Sequence, residues 1–444
     1  MSAFMLAALL ACRGDVAAGF GVADITPEAG QQMPGGFQPR LSKGVRDPLW
    51  AVACVVTDGT TAVALVGIDA LFIGAATTRE ARRLIQQATG IPPECVLVGA
   101  SHTHTGGPIM SCLGSDEDPA YSRRVAEAIA AAVTDAHRSL KPCELGIGVG
   151  REETISFNRR FLMKDGREIT HPGKPGTPRH DQIVRPAGPI DPDVGVLAVR
   201  EPGGAPRGVV VNFACHCTVI GGDKYSADYV GMLRKHLKAR YGDGLAVVFL
   251  AGAAGDVTQV DNNSTAAEYG PEYCDLMGAK LAAEVQRTIG RMSWLKQLSI
   301  GAAVETTPLR IRAEPDADAE RPPFGLGSGQ EEVYARERKL VAEERARTPV
   351  LECEIQALRI GPLGIVTNGA EYFCEYGLRI KQASPHRPTW VVAYANEYIG
   401  YVPTAQAFVG GGYEPRTARS SKLAPDAGQR IVEASLKALG RVKP

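Results

Sequence analysis

The sequence predicts an α/β protein, a mixed β-sheet core with flanking helices. Three observations predict it. Short apolar runs rich in β-branched residues alternate along the whole chain with longer stretches of helical spacing. Hydrophobic residues make up 44% of 444 residues, enough to bury a large core. No internal repeat or linker-like stretch divides the chain, so residues 15–444 read as one domain.

Residues 1–14, "MSAFMLAALLACRG", are apolar but too short to span a bilayer. "LLAC" resembles a lipobox, yet no positive segment precedes it. The stretch reads either as a leader or as an apolar N-terminal helix, which leaves cytoplasmic and exported locations both open. "AVACVVT" and "TAVALVGID" flank "DGT" and predict a hairpin. "TTREARRLIQQATG" predicts a helix with a glycine stop, and "CVLVGAS" a strand. "AYSRRVAEAIAAAVTDAHRSL" predicts a long helix. "VGVLAVR", "GVVVNFACH", "LAVVFLAG", "LSIGAAVET", "CEIQALRI", "LGIVTNG" and "TWVVAYA" follow as strands. Between them "SADYVGMLRKHLKARYG", "DLMGAKLAAEVQR" and "QEEVYARERKLVAEERA" predict helices. Two Pro/Gly-rich stretches, Arg151–Pro189 and Glu314–Gly329, read as loop excursions of the kind that cover active sites or simply decorate a surface.

Lys plus Arg (49) balance Asp plus Glu (49), and no basic run is present. This excludes the electrostatic footprint of a nucleic-acid binder and of a polybasic membrane patch. No stable membrane span is predicted, and the expected partner is a small-molecule substrate. The 10 cysteines contain no CxxC, and several sit in strand-like runs, so they read as reduced core residues.

The chemistry is carried by a few residues at the ends of apolar runs. His102 and His104 follow "CVLVGAS". If the strand continues through them, both side chains share one face and can hold one metal ion. Otherwise they are hydrogen-bonded polar residues in a loop. His216 ends "GVVVNFACH", with Cys215 and Cys217 facing away from it if the strand persists. His216 is then the ligand and the cysteines are packing, with a Cys-His-Cys clip as the alternative. Three histidines at strand ends fit a catalytic zinc that keeps a position open for water. A fourth, carboxylate ligand is expected, with Glu371 in "NGAEY" as a candidate or a surface charge. Tyr398 or Tyr401 could reach the metal or a developing oxyanion. Asp69 reads as a turn cap or as a carboxylate orienting a ligand histidine. Asp228 reads as a helix cap, and Asp256, after "AGAAG", as a group positioning water or a substrate hydroxyl.

Seven segments in order, "GVADITPEAG", "ASHTHTGGP", "SFNRR", "NFACHC", "LAGAAGDVTQ", "NGAEY" and "NEYIGYVPT", resemble the neutral/alkaline non-lysosomal ceramidase family over its catalytic domain. The resemblance implies a ceramidase-like α/β catalytic domain. It implies zinc (Zn2+) held by His102, His104, His216, Glu371 and Tyr401, with Tyr398 as the alternative tyrosine, and Arg159 lining the active site. It implies hydrolysis of an N-acyl amide bond by metal-activated water. Arg159 would hold a polar or anionic part of the substrate, and Asp256 and Thr258 would position water or substrate. Two departures stand out. Thr258 replaces the serine of the family's "GDVS" segment, and Gln259 replaces the proline after it. The expectation is also of a chain without the family's C-terminal immunoglobulin-like domain and without an apolar insertion for collecting lipid. The same scaffold is compatible with a zinc hydrolase of esters, lactones or carbohydrate-derived substrates, or with a non-catalytic protein stapled by zinc.

Overall fold

The structure is a computed structural model that describes residues 14–313 and 328–443. The leader-like segment and most of the Glu314–Gly329 loop lie outside the described residues. Ser328 already belongs to the helix Ser328–Arg347.

Two five-stranded mixed sheets form the centre. The first runs in the order Val96–Ala100, Ala62–Ile68, Trp50–Thr57, Ala17–Asp24, Lys141–Pro142. The predicted hairpin is its middle, with Thr57 opposite Ala62. The second runs Ala246–Ala251, Pro206–Phe213, Asp193–Arg200, Glu144–Arg151, Trp294–Leu295. The sheets pack face to face. A Cβ on Gly67 of the first would meet the backbone oxygen of Phe249 in the second at 2.3 Å, so only glycine permits this approach. Strands covered on both faces become unbroken apolar runs, which is why "ACVV" and "VVFL" carry no alternation.

Helices cover the outer faces. Pro119–Arg138 lies on the first sheet, its start capped by Asp118, whose carboxylate accepts from the amides of Ala120 and Tyr121. Ala75–Thr89 packs beside it and stops at Gly90, in the left-handed region at φ 77°. Pro271–Ile289 covers the second sheet with Asp228–Tyr241 against it. A four-stranded sheet (Ile300–Arg310, Val350–Ile360, Leu363–Thr367, Thr389–Val392) closes the core, backed by the helix Ala427–Arg441.

Each of these three sheets contains one parallel pair, and the strands Val96–Ala100, Pro206–Phe213 and Leu363–Thr367 each belong to one. The segments that follow their C-terminal ends meet at one place, the usual location for ligands in α/β folds. The 151–189 excursion is more ordered than its composition predicts. Phe157–Asn158 pairs with Val257–Thr258, and Arg160–Met163, Glu168–Thr170 and Ile183–Pro186 form a small sheet. All nine cysteines among the described residues are buried and unbridged. Among the described residues no helix is long and apolar enough to cross a membrane.

Candidate metal centre

The strand Val96–Ala100 ends before the first histidine. His102 takes φ 67°, and its amide bonds the carbonyl of Ala70 at 2.9 Å. Alternation along a continuing strand is therefore not what brings His102 and His104 together. A non-glycine residue at positive φ is strained and persists only where its surroundings hold it. Here Thr103 bridges in parallel to Cys217, and the amide of His104 bonds the Cys217 carbonyl at 3.2 Å. That bridge sets the 102–104 segment against the segment carrying His216. The amide of His216 in turn bonds the Val257 carbonyl at 3.1 Å.

All three imidazoles are oriented by backbone carbonyls. Nδ1 of His102 donates to Leu71 O at 2.8 Å, and Nδ1 of His104 to Gly35 O at 3.3 Å. Nδ1 of His216 donates to Ala254 O at 2.7 Å and to Val257 O at 3.1 Å. A donating Nδ1 leaves Nε2 with a free lone pair, the tautomer that binds metal. Gly35 has φ 98°, and a Cβ there would lie 2.6 Å from Nδ1 of His104, so the contact requires glycine. The histidine ligand atoms lie within 4.8 Å of one another.

Glu371 completes the cluster. Its Oε2 lies 3.2 Å from His102 Nε2 and 3.6 Å from His216 Nε2. Its Oε1 accepts from the Tyr398 hydroxyl at 2.6 Å. His102 Nε2, His104 Nε2 and Glu371 Oε2 are buried without a hydrogen-bond partner. Acceptors facing one another in a dry site repel unless a cation lies between them. These residues thus fit a metal ion, and His102, His104 and His216 could hold one.

Burial, with Arg159 and His102 nearby, pushes His216 down to about 3. Burial likewise holds His104 well below its ordinary value. Burial alone would raise Glu371, but His102 and His216 outweigh it and keep the carboxyl ionised. Burial raises Tyr398 and Tyr401 well above the ordinary phenol value, so both remain donors.

Tyr401 sits opposite Glu371 in the short parallel ladder between Ala370–Tyr372 and Gly400–Val402. Its hydroxyl accepts from Arg159 Nη2 at 3.1 Å and lies 3.5 Å from the Tyr413 hydroxyl. Tyr398 is the tyrosine in contact with Glu371. Arg159 Nη1 is 3.2 Å from His216 Nε2, while its Nε donates to Glu414 Oε1 at 3.0 Å and its Nη2 to Gly255 O at 2.6 Å.

The remaining predicted residues point elsewhere. Asp256 accepts from Asn158 Nδ2 and the Cys374 amide, both at 2.8 Å, so its carboxylate braces two segments behind the histidines. Thr258 Oγ1 donates to Gln259 Oε1 at 2.8 Å, and Thr218 donates to the same oxygen at 2.9 Å. Asp69 orients no histidine. It accepts from Arg234 Nη1 at 2.5 Å and the Trp50 amide at 2.9 Å, and the backbone already holds each Nδ1. Asp228 is not the cap of its helix: Ala227 holds that position without a side-chain bond. Asp228, the first helical residue, accepts from the Ile220 and Tyr229 amides and so ties the preceding loop to the helix start. Cys215 and Cys217 are buried packing, with Cys215 Sγ toward Ile155 O.

Sequence reasoning missed Tyr394, whose ring stacks on His102 at 4.1 Å between centroids. It also missed Glu414, Tyr413 and Arg40, which carry no local motif. Arg40 belongs to a cleft of about 490 Å³ that opens beside His104.

No family model matches the sequence, and no curated protein does. Solved structures do. A ceramidase complexed with C2 is 20% identical with TM-score 0.74, covering 96% of this chain and 76% of that one. The neutral ceramidase from Pseudomonas aeruginosa is 20% identical with TM-score 0.73, covering 97% of this chain and 75% of that one. The expected mixed α/β architecture is therefore found, and this chain has the fold of the neutral ceramidases.

Proposed function

We propose that this chain is a zinc-dependent hydrolase of an N-acyl amide bond. One observation carries the reading: three Nε2 atoms, their tautomers set by backbone carbonyls, converge with a buried carboxylate oxygen on one point. Three imidazoles and one carboxylate suit zinc by ligand type. The similar solved structures are named as ceramidases, and ceramide is an N-acyl amide. Bound zinc would polarise the amide carbonyl and acidify a water.

The chain's own residues do the rest. Neutral His104 presents a lone pair, neutral His216 offers one that Arg159 Nη1 approaches at 3.2 Å and must yield to the ion, and Glu371 supplies negative charge. Tyr398 fixes the carboxylate through Oε1. Tyr401, protonated, donates to the oxyanion that develops on the carbonyl oxygen. Arg159 holds Tyr401 in place, its charge balanced by Glu414. Asp256 and Thr258 act as positioning residues: the Asp256 carbonyl accepts the Arg159 amide, and Thr258 works through Gln259 on Thr218 at the cleft. Water enters on the side of His104, the one histidine of the three that is not fully buried. Hydrolysis places the water oxygen on the carbonyl carbon and its hydrogens on the leaving amine and the new acid.

The test is zinc per chain by mass spectrometry, alongside a panel of chromogenic N-acyl and O-acyl substrates. The reading expects one zinc and amide turnover that a chelator abolishes and zinc restores. Turnover of esters or lactones alone would move the chain to oxygen-acyl hydrolysis. Zinc without any turnover, with a steep fall in melting temperature for His104→Ala, would make the metal a structural staple.

A further inference from the structure

The cleft beside His104 carries a charge that the metal centre does not use. Its walls are the 35–40 segment, with Gly35, Gln38 and Arg40, and the 218–221 segment, with Thr218 and Ile220. Arg40 donates to two backbone carbonyls, those of His104 and Gly222. Its Nε is buried without a partner. Among the described residues no aspartate or glutamate forms an ion pair with it, and burial takes part of the guanidinium out of water. Arg159, the arginine that sequence reasoning placed against the substrate, differs in this respect. Its guanidinium is taken up by Glu414, Gly255, Tyr401 and His216. A partly desolvated guanidinium without a counter-ion, lining a cleft of about 490 Å³, is matched by a ligand that brings its own negative charge.

We propose that this cleft is an anion subsite in which Arg40 recognises a carboxylate carried by the amide substrate. The substrate class is then an N-acyl amide with a carboxylate close to the scissile bond, the chemistry of an N-acyl amino acid, rather than a neutral lipid amide. The inference takes its reaction from the amidase reading, but the binding preference stands apart from it. The carboxylate can sit on the amine side or on the acyl side of the bond, and the experiment separates the two.

The zinc-loaded full chain is titrated calorimetrically, and assayed for turnover, with two probe pairs. The first is N-octanoylglycine and its neutral carboxamide. The second is the monoanilide of butanedioic acid and its methyl ester. The proposal expects the carboxylate member of one pair to bind about tenfold more tightly than its neutral partner, the scale of one charge-assisted hydrogen bond. Arg40→Gln should bring that ratio toward one, and Arg40→Lys should keep part of it. Zinc per chain is measured for each variant, because Arg40 also bonds the His104 carbonyl. Equal binding of both members in the wild-type chain, or a preference that survives Arg40→Gln, overturns the subsite, and the wild-type comparison decides even if a variant fails to fold. Equal turnover of neutral and charged amides sinks the subsite and leaves the amidase reading intact. An Arg40-dependent binding preference without hydrolysis of any amide does the reverse.

Discussion

Two buried polar clusters lie side by side, and they differ in whether their atoms are satisfied. Around Arg160, every charge has its partner. Nη1 meets Glu414 Oε2 at 2.5 Å and Nη2 meets Glu168 Oε2 at 2.7 Å, while Thr170 and Arg159 supply Glu414 with further donors. Around His102, His104 and Glu371, lone pairs face one another and three atoms have no partner. Low polarity makes an unpaired buried group costly, and three acceptors facing one another are relieved by a cation between them. The first cluster is scaffold. The second is built as a receptor that could hold a metal ion.

The sharpest way to break the contrast is to remove one receptor histidine. His216→Ala should lose stoichiometric zinc and cost more than the ~100-fold that loss of an outer-shell partner costs, read as zinc per chain and kcat/KM. Arg160→Met should do the opposite. It strands Glu414 and Glu168 and should cost about 3–5 kcal/mol in denaturant unfolding, while zinc per folded chain stays unchanged. A loss of zinc from folded Arg160→Met would merge the two clusters into one. Tyr398→Phe removes the donor to Glu371 Oε1 and should weaken zinc roughly 10–100-fold in a competition titration.

A pH-dependent effect belongs to a buried carboxyl outside both clusters. Burial raises Asp228 from 3.8 to about 7, even though two backbone amides donate to it. The folded chain then binds the proton more tightly than the unfolded chain. This contribution is fully present below pH 4 and falls away as pH rises toward 7. Unfolding curves across that window should show Asp228→Asn gaining stability relative to the wild-type chain as pH rises. A constant difference would contradict the shift.

The elements were largely legible in the sequence because doubly covered strands and amphipathic helices carry strong local patterns. The helix beginning "TTREARR" ends at Gly90, and the "DGT" hairpin has the expected partners. The histidine pair was legible, but the reason for its convergence was not. A continued strand would have put His102 and His104 on one face, whereas the chain turns at His102 and relies on a bridge from Thr103 to Cys217. That contact joins residues over a hundred positions apart, and no local spacing encodes it. Arg40, Glu414 and Tyr394 were illegible for the same reason, since each is an ordinary residue until the fold brings a site to it. The excursion after Arg151 looked like a loop because its strands are short and its buried residues include charges such as Arg160.

The central claim is that a single ion belongs among the orphaned atoms. Crystals of the zinc-loaded chain, measured on either side of the zinc absorption edge, test it most directly. The account predicts one anomalous peak within coordination distance, about 2.0–2.2 Å, of Nε2 of His102, His104 and His216 and of Glu371 Oε2. Zinc found only at other residues, with the Glu371 carboxylate bonded to a protonated His102, would contradict it.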